Sequence, residues 1–239
     1  MYRTEKYLPN WRRHVMTFAK EAKKINLDFE INAIANDPSD AELVILKKLE
    51  SEPWFNLRIV PRESIYASWN RGVSMSRAEV YTAWNIDDIR NITAIKDGLE
   101  LINNNKAATE QGVIVYFSFI YKRYINFLNY NFLVKKILFT LPSFNKEEFS
   151  KTMFIGPFFL YTKKAYQRIG IFDEKYTVVG DYEWQIRAVK KDVLFLKSEV
   201  VGGIFTNNGK TLSGSKSDKH KAEAQEVYDK YVINNLSKL

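Results

Sequence analysis

The sequence predicts an α/β protein built on a mainly parallel central sheet. Three observations carry this. Segments with helical apolar spacing alternate with short runs of β-branched and aromatic residues, which argues for one α/β domain spanning residues 1–239 over two separate ones. The 239 residues are 46% apolar, ample for one core. The run Tyr81-Thr-Ala-Trp-Asn-Ile-Asp-Asp88 stops at two adjacent carboxylates, as when an open sheet delivers acids to its ligand-binding edge. Hard oxygen ligands of this kind suit Mg²⁺ or Mn²⁺, which bind through one or two carboxylates plus substrate phosphates.

Element by element, Asn10 to Ile25 places Trp11, Val15, Phe18 and Ala19 at helical spacing with basic residues between. Asp28 to Ala35 reads as a strand, and Ser39 or Asp40 caps a helix running to about Glu50. Leu57 to Val60 is a strand closed by Pro61, and a helix follows from about Ser64. A strand ending at Asp87 comes next, then a helix from Asn91 to Ile102 that the asparagine run 103–105 stops. Gly112 to Ile120 reads as a strand. Gly180 to Lys190 is a helix, Val193 to Lys197 and Val200 to Phe205 are strands, and Lys219 to Asn234 is a final helix. Val113 to Leu141 is aromatic and apolar, with Lys122, Arg123, Lys135 and Lys136 embedded. It reads as a core strand plus a helix, or as an amphipathic surface resting on a membrane.

Composition excludes several classes. Cysteine is absent, so disulfides and thiolate metal sites are ruled out. No apolar stretch reaches the ~18 residues of a spanning helix, and the N-terminus lacks the apolar core of a signal peptide, so a cytoplasmic location is expected. The net charge is +8 (36 basic minus 28 acidic). It is scattered, without a block of five or six like charges or a nucleic-acid motif, so nucleic acid is not an expected partner.

Beyond the acidic pair, Asn70-Arg-Gly72 sits on the helix upstream, and Gly156 precedes Phe158-Phe-Leu-Tyr161. Gly170-Ile-Phe172-Asp-Glu174 and then Gly180-Asp181-Tyr-Glu183-Trp184 follow downstream. In this order and spacing the set resembles glycosyltransferase family 2, the inverting nucleotide-sugar transferases of GT-A fold. The resemblance runs from about Tyr2 to about Ser213. It implies a single Rossmann-like GT-A domain, a nucleotide-diphospho-sugar donor, a glycan or lipid-linked acceptor and a Mn²⁺ or Mg²⁺ cofactor. It also implies roles. Asn36, Asp37, Asn70 and Asp87 would contact the nucleotide sugar, Asp88 the metal, and Gly156, Glu183 and Trp184 the acceptor side. Asp181 would be the general base that takes the acceptor proton.

The chain departs from the family in four places. Tyr2 to Leu8 matches a segment that follows the family's first strand, so that strand has no counterpart. Asn36 and Asn85 stand where the family has acids, and Pro38 where it has glycine. No Gln-x-x-Arg-Trp follows Gln185, so a single-sugar, non-processive transfer is expected. Of the two histidines, His14 reads as a surface residue, and His220 is a candidate for the metal or diphosphate. A catalytically inactive nucleotide-sugar-binding module is the competing expectation.

Overall fold

The computed structural model describes residues 4–105, 108–127, 130–151, 155–207 and 218–233. Helix α1 (Leu8–Lys24) buries Leu8, Trp11, Val15, Phe18 and Ala22 along one stripe, the three-and-four spacing of an amphipathic helix. Strands β1 (Ile31–Asn36) and β2 (Phe55–Val60) pair in parallel, from Ile31 opposite Phe55 to Asn36 opposite Val60. Between them α2 (Asp40–Lys47) starts with a capping box: Ser39 Oγ accepts from Glu42 N, and Glu42 Oε2 accepts from Ser39 N. Helix α3 (Ile65–Met75) follows, capped by Ser64.

The acidic motif departs from its expected shape. Extended backbone is confined to β3 (Val80–Tyr81) and β4 (Ile89–Arg90), so no strand runs to Asp87. Asp88 N donates to Asn85 O and Trp84 Nε1 to Asp88 O, which closes a tight turn. Trp84 and Ile86 leave the sheet to pack on the cluster beneath α1. Helix α4 (Ile92–Asn103) then starts at Asn91, whose side chain caps Thr93 N, and α5 (Ala108–Gln111) leads into the central strand.

Strand β5 (Val113–Phe117) is buried at every residue. The expected single strand Gly112–Ile120 breaks at Ser118, whose carbonyl accepts from Gly202 N and whose hydroxyl accepts from Leu141 N. The chain thereby changes sheets. Among the described residues, no helix lies between Val113 and Leu141. Instead β6 (Phe119–Phe127) and β7 (Tyr130–Phe139) pair as a long antiparallel hairpin. After α6 (Lys146–Lys151) come β8 (Phe159–Thr162), α7 (Lys163–Ile169), α8 (Gly180–Lys190), β9 (Leu194–Ser198) and β10 (Gly203–Asn207). The final helix, α9 (Asp218–Tyr228), ends in a π-helical turn, Asp229–Ile233; the expected end at Asn234 lies outside the described residues.

One sheet has the order β3-β8-β5-β9, in which β5 and β9 are parallel and β8 is antiparallel to both neighbours. A second has the order β4-β10-β6-β7, with β6 and β10 parallel. The pair β1-β2 stands apart. Two apolar clusters match this division. The smaller joins Leu8, Trp11, Val15, Ala33, Ala35, Leu46, Leu49 and Phe55. The larger surrounds β5, β8 and α8 and includes Phe158, Phe159, Tyr161, Phe172 and Trp184.

Candidate active site

A cleft of about 1770 Å³ opens between the two clusters. Its walls include β1 through Asn36, the start of α3 through Glu63, Tyr66 and Ser68, and the acidic turn through Asn85 and Asp87. Asp181 at the start of α8 and His220 on α9 lie on the same cleft, as does Gly156. The carboxyl ends of open α/β sheets gather ligands in this manner.

Asp181 occupies the first turn of α8, where the helix dipole favours a negative charge. Its Oδ1 accepts from Tyr66 OH at 3.2 Å and from Tyr182 N at 2.9 Å. Oδ2 takes no hydrogen bond from the described residues. Burial pushes the Asp181 carboxyl up; the Tyr182 N–H, Tyr66 OH and nearby His220 act the other way. The single Tyr66 proton is shared between Asp181 Oδ1 and Val178 O, which lies at 2.9 Å. The Tyr66 ring touches the helix start so closely that a Cβ on Gly180 would lie 2.6 Å from it. The glycine ahead of Asp181 is therefore where the tyrosine fits.

The loop entering α8 is fixed from the far end of the chain. Glu223, buried on α9, accepts from Thr177 N and Oγ1, Val178 N and Val179 N at 2.7 to 3.3 Å. Burial alone would raise the Glu223 carboxyl, but these bonds outweigh it and hold its pKa below the ordinary value.

On the opposite wall, Asp87 faces the cleft half-buried, while Asp88, 2% exposed, lies behind it. Asp88 Oδ1 accepts from Thr206 N and Oδ2 from the Asn85 amide, both at 3.3 Å. Burial raises both carboxyls, and at Asp88 the Asp87 charge adds to it. The neighbouring cation, Arg90, is turned toward Ala83 O and the Phe158 ring. Asp88, expected as the metal ligand, is off the cleft lining, has both oxygens hydrogen-bonded and feels the Arg90 charge. Asp87 is therefore the acid of the pair that a hard divalent cation in the cleft could reach. No group of three or more side chains that could hold a metal ion occurs among the described residues.

Other expected site residues are placed differently. Asn70 is a tether: its amide donates to Phe172 O and Glu174 Oε1, and its oxygen accepts from Tyr166 OH and Phe172 N, all at 2.8 or 2.9 Å. With every donor and both lone pairs used, Asn70 has nothing left for a nucleotide and does not line the cleft. Asn36 lines it, but Nδ2 donates to Ser68 Oγ and Oδ1 accepts from Glu63 N. Asp37 is exposed in a left-handed turn (φ 44°) outside the cleft lining. Glu183 and Trp184 are corrections as well. Glu183 is 1% exposed, paired with Arg187 at 2.9 Å and bonded by Tyr231 OH. Trp184 is fully buried against Phe172 and donates to Gly170 O at 2.8 Å. Both serve the core, and neither reaches the cleft.

Tyr66 and Glu223 are candidate site residues that the sequence reading does not single out. Tyr66 carried a signal: it lies four residues before Asn70, hence on the same face of α3. Glu223 carried none, because its partners lie more than 40 residues away.

No family model and no curated protein matches the chain. Solved structures do. Residues 1–349 of S. aureus TarS superpose with a TM-score of 0.59 at 15% identity, covering 86% of this chain and 58% of that one. The same fragment in complex with UDP-GlcNAc gives 0.54, also at 15% identity, covering 79% and 52%. The chain thus spans a little over half the length of the TarS fragment. These neighbours are GT-A glycosyltransferases, and the chain has their fold.

Proposed function

We propose that the cleft transfers a single sugar from a nucleotide-diphospho-sugar to a hydroxyl of a glycan or lipid-linked acceptor, with inversion. The observation that carries this reading is Asp181: a carboxylate with one oxygen held by Tyr66, on the lining of a cleft that also holds Asp87. In this reading the acceptor oxygen attacks the anomeric carbon as its proton passes to Asp181 Oδ2. The bond from that carbon to the diphosphate breaks, and its electron pair leaves with the nucleoside diphosphate. Such base assistance contributes about 10²–10⁴-fold. The raised Asp181 pKa suits the role, because a stronger base takes the proton more readily.

Asp87 would hold Mn²⁺ or Mg²⁺ on the cleft wall, with the buried Asp88 behind it adding negative charge. When bound, such an ion supplies Lewis-acid stabilisation of the diphosphate charge. Asn36, Ser68 and Glu63 form the hydrogen-bonded wall at the end of β1, and there the base and ribose have room. The UDP-GlcNAc complex of TarS supports a nucleotide sugar as the ligand class.

The test is a panel of nucleotide sugars with Mn²⁺, read by thermal shift, by donor hydrolysis and by the anomeric configuration of the product. A donor-specific, metal-dependent shift with turnover and inversion is expected. A retained configuration overturns the mechanism. Binding without turnover would instead identify an inactive nucleotide-sugar-binding module, a reading favoured by Asn36, whose side chain is already bonded at both ends.

A further inference from the structure

The hairpin β6-β7 concentrates charge and apolar surface in one place. Residues 113–145 contain four cations (Lys122, Arg123, Lys135, Lys136) and no acid, so they carry +4 of the chain's net +8. The register sets these cations face to face: Lys122 lies opposite Lys136 and Arg123 opposite Lys135. Like charges directly across a ladder destabilise it. None of the four makes a salt bridge among the described residues.

Lysines on an edge strand such as β7 discourage edge-to-edge pairing. That role does not account for what surrounds them. Ile125, Phe132, Leu133, Val134, Leu138 and Phe139 are each 43% to 55% exposed, although burying such side chains is favourable.

The order along the hairpin is informative. Toward the tip, past the irregularity at Arg123/Tyr124, come Ile125, Phe132 and Leu133. The four cations follow as a collar. Phe119, Tyr121 and Phe139 then lie at the base, where they line the cleft. At about 3.3 Å per residue, Ile125 stands ~7 Å beyond Arg123 and Tyr121 the same distance behind it. Exposed apolar side chains beside a ring of cations are the pattern of a surface-seated membrane anchor.

We propose that the β6-β7 hairpin docks the protein on an anionic lipid bilayer, with Ile125, Phe132 and Leu133 at the headgroup–acyl boundary and its four cations on the headgroup phosphates. The cleft then opens just above the headgroups, within reach of an acceptor held in the membrane. The docking itself rests on the hairpin alone; the acceptor's location also rests on the proposed transfer.

The test is co-sedimentation with phosphatidylcholine vesicles, with and without phosphatidylglycerol. Three proteins are compared: the wild type, Lys122→Gln/Arg123→Gln/Lys135→Gln/Lys136→Gln, and Phe132→Ser/Leu133→Ser. The substitutions lie on the exposed hairpin, and a thermal melt checks each fold. The wild type is expected to bind only vesicles containing phosphatidylglycerol and to be released by salt. The quadruple variant should lose about fivefold in affinity per cation removed, and the serine variant should also weaken. Donor-induced thermal shifts should be unchanged in both, so docking can fail while the transferase reading stands. Equal sedimentation of the wild type and the quadruple variant would overturn the proposal. So would a serine variant that binds vesicles as well as the wild type while single-stranded RNA competes for the cations, since that marks a general polyanion site.

Discussion

Tyr66 and Asp181 share a single hydrogen bond, and much of the candidate chemistry depends on it. The Tyr66 hydroxyl stabilises the ionised Asp181 carboxylate, while burial opposes ionisation. Transfer should therefore rise with pH as Asp181 ionises, through a value above that of an ordinary aspartate. The groups that set the value are Tyr66 on α3, His220 on α9 and the N-terminus of α8. Tyr66→Phe removes a bond that favours the charged form, so the acidic limb of the rate profile should move to higher pH. A limb that stays put or moves down would dissociate Tyr66 from the base. Asp181→Asn should lower kcat by ~10²-fold or more with donor affinity retained. Because the folded Asp181 pKa is raised, ionisation costs stability as pH climbs from the unfolded value toward the folded one. Asp181→Asn should remove that loss, as urea melts across the interval would show. Asn70 makes a different residue-level case. Asn70→Ala orphans the buried N–H and carbonyl of Phe172, and should cost about 1–3 kcal/mol for each buried group left unpaired.

Among the elements, those with local signals were legible in the sequence. Helix α8 begins and ends where the apolar spacing places it, and Ser39, Ser64 and Asn91 cap α2, α3 and α4 through short-range bonds. The acidic turn was misread because Trp84 and Ile86 alternate with polar neighbours as a strand would, yet their burial is in the other cluster. The hairpin was illegible for a related reason: its apolar residues are exposed rather than buried, so hydrophobicity gave no guide to the core. Of the candidate site, the order of the acids could be read. Which of them face the cleft could not, since that depends on contacts between distant segments. Two element-scale predictions follow from such contacts. Gly180→Ala puts a methyl into the Tyr66 ring and should lower stability by about 1–3 kcal/mol, with Tm as the measure. Glu223→Gln weakens the clasp on the loop 177–179, where hydrogen bonds to a charge are worth about 1.5–3 kcal/mol. The folded Glu223 pKa is depressed, so its contribution is complete above the unfolded pKa and fades as pH falls through the folded one. The gap between wild type and Glu223→Gln should therefore close in acid, and a gap independent of pH would contradict the charge-based account.

At the scale of the whole molecule, the two apolar clusters have consequences for motion. The cluster of α1, α2, β1 and β2 is small, and the one around β5, β8 and α8 is large. The acidic turn straddles them, with Trp84 and Ile86 in the first and Arg90 over Phe158, a residue of the second. Native-state hydrogen exchange should resolve two opening units, with β1 and β2 exchanging at a lower free energy than β5 and β9. A ligand lodged between Asn36 and Asp181 touches both units and can bind fully only when they are closed together. Mass action then raises the opening free energy of the smaller unit by RT ln(1 + [L]/Kd), ~2.7 kcal/mol at a hundredfold excess over Kd. The donor would act as the missing fastener between two half-independent bodies, so protection in β1 and β2 would report occupancy of a site whose chemistry lies on the far wall.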